Sequence, residues 1–134
     1  MAFAPVTIKE IIKKADWFDS ASMEVYSFRL PKSIRDNGKV NKITILIEST
    51  ANNFRKYGSN EPTILWRTGA MRVFYPDSQL IDDYEKVPML ITNELRKYDY
   101  SVTSIYGPNY TPDTEQIYTR LPYQKYDFKE DLSY

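Results

Sequence analysis

The chain has 134 residues, 42% hydrophobic and 27% charged, which is the length and composition of one globular domain and excludes wholesale disorder or a fibrous class. Eighteen basic and eighteen acidic residues cancel, so no long-range pull toward a phosphate backbone exists and nucleic acid is disfavoured as the main partner. Cysteine and histidine are both absent, which removes disulfides, thiolate nucleophiles, imidazole bases and the usual zinc ligands together.

Thr7 and Glu10 form a capping-box pattern, with Val6 and Ile11 placed as a hydrophobic staple, so a helix is expected to start at Thr7. Ile8, Ile11, Ile12, Ala15 and Phe18 then recur at three- and four-residue steps as one apolar stripe, leaving Lys9, Lys13 and Lys14 to a solvated face. Residues 23–30 are rich in β-formers and stop at Pro31. A second strand is expected over 42–49, where Ile43, Ile45 and Ile47 alternate with Lys42, Thr44, Leu46 and Glu48. The polar link 32–41 holds Asn37-Gly38 and reads as a projecting hairpin loop. Residues 50–63 read as another exposed connection, carrying Phe54 and Tyr57.

A third strand is expected over 64–75, bent or bulged near Gly69 and ended by Pro76. Asp77 or Ser78 is placed to cap a second helix whose apolar positions are Leu80, Tyr84, Val87, Ile91, Leu95 and Tyr98. Pro88 falls inside it and predicts a kink. Residues 100–106 form a short strand, 107–113 a turn and 114–123 a last strand, with Pro122 marking a sheet edge. The ends, 1–5 and 125–134, read as flexible tails. The order α-β-β-β-α-β-β gives a single α+β domain, an antiparallel or mixed sheet of about five strands with helices on a face.

No apolar run is long enough for a membrane span, and the first residues lack the pattern of a cleaved leader. The expectation is an intracellular or virion-borne chain with no membrane partner. No catalytic, cofactor or metal residues are expected. The four glycines are isolated and build no phosphate loop, and Asp82, Asp83 and Glu85 sit where a helix dipole favours acids rather than in a calcium-loop pattern. An enzyme would have to work through carboxylates such as Glu48 or Asp113. A nucleic-acid adaptor would need basic residues beside its aromatics, and Arg67, Arg72 and Arg120 look dispersed. The unusual asset is twelve tyrosines, each joining a broad apolar face to a polar tip, as packed but partly wet interfaces require. Tyr26, Tyr75, Tyr84 and Tyr98 are expected inside. Phe54, Tyr57, Tyr106, Tyr110 and Tyr118 are the expected interface residues.

Met71-Arg72-Val73-Phe74-Tyr75 leading into an acid-capped helix, then Tyr98-Asp99-Tyr100, then Pro112-Asp113-Thr114-Glu115-Gln116, resembles a family of small siphophage tail proteins. The similarity extends upstream through Lys56-Tyr57-Gly58-Ser59-Asn60 and covers most of the chain, departing from the family pattern at Thr111 and Pro88. The resemblance implies a tail-terminator or tail-completion subunit of a phage of Gram-positive bacteria. Such a subunit forms a ring, hexameric in this reading, on the head-proximal end of the tail tube. Its partners would be its own copies, the tail-tube protein and the head connector, with DNA at most passing through the ring. A head-completion or tail-tube protein is the alternative within the same setting.

Overall fold

The computed structural model describes residues 3–56 and 62–128. In chain order the elements are α1 (Ala4–Lys13), β1 (Met23–Ser27), α2 (Lys32–Asn37), β2 (Ile43–Lys56), β3 (Pro62–Tyr75), α3 (Asp83–Arg96), β4 (Ser101–Val102), β5 (Tyr106–Tyr110) and β6 (Ile117–Phe128). The class is α+β. The sheet is mixed and six-stranded, one strand more than expected, in the order β1-β2-β3-β6-β4 with β5 also paired to β6.

The apolar periodicity places α1 and α3 on one face. Ile8, Ile11 and Ile12 of α1 and Val87, Ile91 and Leu95 of α3 close over Val25, Ile43, Ile45, Ile47, Met71, Val73, Tyr75, Leu121 and Tyr123, all buried in one cluster. On the opposite face Val40, Leu46 and Phe74 form a smaller cluster, covered by Leu30, Ile34 and Tyr118. The alternation in β2 is therefore correct, but both of its faces are partly buried.

α1 starts earlier than the capping box implies. Phe3 is its N-cap, Pro5 lies in the first turn, and Ala4 and Pro5 are buried, so the start follows proline's fixed φ rather than the Thr7 side chain. Residues 3–5 are thus ordered, against the expectation of a flexible end.

The link 32–41 is not a hairpin loop. β1 and β2 are parallel, with Met23 opposite Ile43 and Ser27 opposite Ile47, and parallel neighbours need a crossover rather than a tight turn. The crossover contains α2, and the Asn37-Gly38 signal is that helix's left-handed C-cap, Gly38 at φ 77°. A Cβ at Gly38 would also lie 2.7 Å from Thr114 Cγ2, so glycine is required there on two counts.

Most of the expected connection 50–63 is strand. β2 and β3 pair antiparallel from Thr44 opposite Phe74 to Lys56 opposite Pro62. The irregularity expected near Gly69 lies on the partner strand, between Ser49 and Ala51. There Tyr123 crosses Gly69 and donates its hydroxyl to the Glu48 carbonyl at 2.8 Å.

α3 begins at Asp83, not at 77–78, with Asp83 and Glu85 in its first turn. It runs through Pro88 as one continuous helix. Proline leaves the Tyr84 carbonyl, four residues back, without its helical donor, and the Tyr75 hydroxyl lies 3.3 Å from that oxygen.

Residues 107–110 belong to β5 rather than to a turn, and β6 starts at Ile117, not 114, and extends to Phe128. Residues 125–128 are therefore sheet, while 129–134 lie outside the described residues. Pro122 sits inside β6, opposite Ala70 on one side. Its carbonyl accepts Thr103 N at 3.0 Å, so its missing N–H faces the outer side, where the edge partner changes from β4 to β5.

Candidate assembly surfaces

Three of the five expected interface residues come together at the β5–β6 edge. Tyr106 is 52% and Tyr110 66% exposed. β5 is exposed along its whole length, so these rings are offered to solvent rather than spent on the core. Tyr106 pairs with Arg120, Asn109 with Tyr118, and Tyr110 with Ile117, which puts Tyr106 and Tyr118 on the open face of the sheet and Tyr110 on the helical face. Tyr118 is half-buried and packs on Phe74, with ring centroids 6.0 Å apart, so it holds the edge in place more than it presents a surface. Phe54 lies in β2 with its backbone opposite Leu65, far from this edge, and Tyr57 lies outside the described residues.

The tyrosines assigned to the interior divide. Tyr75 is fully buried and Tyr98 is exposed, while Tyr26 and Tyr84 are half-buried. Burial pushes the Tyr75 phenol up to about 12, against the lowering effect of the Thr119 hydroxyl at 3.2 Å. Burial likewise raises Tyr26 to about 12, helped by Glu24, which accepts its hydroxyl at 2.8 Å. Tyr123 is raised further, again chiefly by burial.

Beside Tyr106 the open face holds a shallow depression of about 350 Å³ lined by Glu48, Thr50, Ala70, Arg72, Tyr118 and Arg120. Two of the three arginines that look dispersed in sequence are brought together here, since Arg72 and Arg120 are cross-strand neighbours. Glu48 offsets their repulsion by accepting Arg72 Nε at 3.0 Å, and Arg120 lies over the Tyr106 ring, 6.0 Å from its centroid. Arg67 is buried on the other face. Of the two carboxylates named for catalysis, Glu48 is engaged by Arg72 and Asp113 is exposed. Among the described residues no group of three His, Cys, Asp or Glu is placed to hold a metal, and no helix is long and apolar enough to cross a membrane.

A second surface was not anticipated. β4 pairs with β6 only at Gln124 and Tyr123, and β1 with β2 only as far as Ile47. Beyond those points β2, β3 and β6 continue as a three-stranded arm ending at Lys56, Pro62 and Phe128, roughly 17 Å past the last edge partner. On this arm Trp66 stacks on Tyr126, centroids 6.1 Å apart and planes 8° apart, and its indole donates to Gln124 Oε1 at 3.4 Å. The β3 side of the arm was expected from Ile64 onward, and its β2 side was missed because Asn52 and Asn53 opposite it are poor strand formers.

The Pro112–Gln116 element has a structural task. Buried Gln116 accepts Val40 N at 2.9 Å and donates to the carbonyls of Tyr75 at 2.6 Å and Ile117 at 2.9 Å, tying the crossover to the ends of β3 and β6. Thr111 accepts Gln116 N through its hydroxyl at 3.0 Å.

No protein-family model matches the chain, and no curated protein matches it.

Proposed function

We propose that the chain is a structural subunit of a phage virion, a tail-terminator-like protein whose copies close into a ring, six in number by the resemblance, that caps the tail tube and meets the head connector. The observation that supports this best is the pair of unlike features on one sheet: the exposed tyrosine edge of β5 and the three-stranded arm of β2, β3 and β6. Ring closure requires two different patches on each copy, one meeting the other on the next. Tyrosine and tryptophan in partly wet positions are the residue types that concentrate binding energy in such contacts. The arm also suits a tail-tube subunit, in which the same contacts would repeat along an axis.

Negative-stain imaging and native mass measurement of the purified protein, with and without tail tubes, test the reading. Closed rings of one size, or rings formed only on tube ends, support a terminator. Stacked open tubes support the tube alternative. Monomers under both conditions overturn the assembly reading.

A further inference from the structure

We propose that the turn carrying Leu80 and Ile81 is a knob that inserts into the apolar crevice beneath α2 of the next copy of this chain; the choice of a second copy as occupant rests on the assembly reading above. Leu80 is 72% and Ile81 78% exposed, more than any other large apolar side chain among the described residues. They sit side by side in the turn between β3 and α3. Two adjacent aliphatic side chains so fully in water are costly unless something covers them.

The crevice is lined by Leu30, Ile34, Val40 and Phe74, with Arg35 and Lys39 also on its walls, and its volume is about 210 Å³. Pockets for drug-sized ligands run to about 300–1,000 Å³, so this one fits aliphatic side chains better than a metabolite. Charge agrees with the fit. Asp82 and Glu85 beside the knob are exposed, as is Arg35 at the crevice, and none of the three has an ion pair among the described residues. The acids Asp82 and Glu85 would thus meet Arg35 as the aliphatic tip enters.

The placement suits a head-to-tail contact. The Lys39–Asp77 ion pair, 2.9 Å, sets the crevice and the root of the knob at the same end of the sheet. The crevice opens on the face away from α1 and α3, whereas the knob leads the chain onto the face that α3 covers. Two complementary features set apart at one end of the sheet let each copy hold the next.

Cysteine pairing tests the contact cleanly, because the chain has none of its own. Ile81→Cys protein mixed with Ile34→Cys protein under mild oxidation should give a covalent dimer containing one of each, and neither protein alone should give comparable yield. No mixed bridge, or equal bridging in the single-variant controls, overturns the contact. If wild-type rings persist in native mass spectra without the mixed bridge, only this contact falls; if the bridge forms but only dimers are seen, the contact stands and the ring reading falls. The double variant Leu80→Ser/Ile81→Ser, at solvent-exposed positions, should keep the far-UV circular dichroism of the wild type. It should raise the half-assembly concentration about a hundredfold or more, as loss of two anchoring side chains implies. Unchanged assembly in that variant also overturns the proposal.

Discussion

Gly69→Ala places a methyl group where three strands converge. A Cβ there would lie 2.1 Å from the Glu48 carbonyl oxygen and 2.4 Å from the Tyr123 hydroxyl, well inside contact distance. Neither neighbour yields easily. Glu48 O is backbone of β2 next to the irregularity at Ser49 and Ala51, and Tyr123 is a buried ring packed with Tyr100 at 6.1 Å. Relief requires parting the strands or swinging the ring away, which breaks the 2.8 Å bond from Tyr123 to Glu48 O. Overpacking typically costs about 1–3 kcal/mol, and stranding the buried hydroxyl and carbonyl adds about 1–3 kcal/mol. A total of about 2–6 kcal/mol would be a large fraction of the roughly 5–15 kcal/mol that holds a domain of this size. Urea denaturation of wild type, Gly69→Ala, Tyr123→Phe and the double variant measures it. Tyr123→Phe alone should cost about 1 kcal/mol, and the double variant should cost less than the sum because the hydroxyl has left the clash. A Gly69→Ala protein within about 0.5 kcal/mol of wild type would refute the packing argument.

Gln116→Leu removes three hydrogen bonds at the crossover and should destabilise by about 2–4 kcal/mol in the same assay, whereas Asp113→Ala, an exposed neighbour, should be near neutral. Gly38→Ala should cost more than about 1 kcal/mol, and pairing it with Thr114→Ser should recover only the steric part, since φ 77° remains unfavourable. Stability should fall as pH rises from 10 toward 12: Tyr75, raised to about 12 in the fold, stays protonated while the unfolded phenol ionises at its ordinary value of 10.0. Its contribution is thus fully present below pH 10 and lost as pH climbs through the folded value, up to about 2–3 kcal/mol. Urea midpoints at pH 9 and pH 11 measure the drop, which Tyr75→Phe should reduce. Tyr106→Ala/Tyr110→Ala should weaken assembly at least tenfold in native mass titration while leaving the monomer's urea midpoint unchanged, because both rings are exposed.

What the sequence disclosed follows from which interactions are local. Ile8, Ile11 and Ile12 declare α1, and Ile43, Ile45 and Ile47 declare β2, because each pattern has one period and one buried face. The parallel pairing of β1 with β2 was not legible. Gly38 serves a tight hairpin and a helix C-cap equally well, and α2 is held by Ile34 packing on residues of β2 and β3 that are distant in the chain. Strand at Asn52 and Asn53 likewise depends on the β3 ladder opposite rather than on propensity. Among the candidate surface residues, Tyr106 and Tyr110 were legible because proline and glycine around them keep the strand at an edge. Leu80 was not. It continues the three- and four-residue stepping of α3, and only the helix's start at Asp83 leaves it outside the core.

Pro88 has a mechanical consequence for the layer above the sheet. A helix resting on an apolar bed is held in place by shape alone, and aliphatic surfaces forgive small rotations and slips along the axis. The carbonyl that Pro88 leaves open at Tyr84, met by the Tyr75 hydroxyl at the end of β3, is a directional tie between those layers. Shifting α3 by one residue would carry that oxygen away and bring up a carbonyl already engaged within the helix. The proline thus works as an indexing pin: it gives α3 one azimuth and one depth over β3, and with them a fixed bearing to the turn of Leu80 and Ile81 that precedes it.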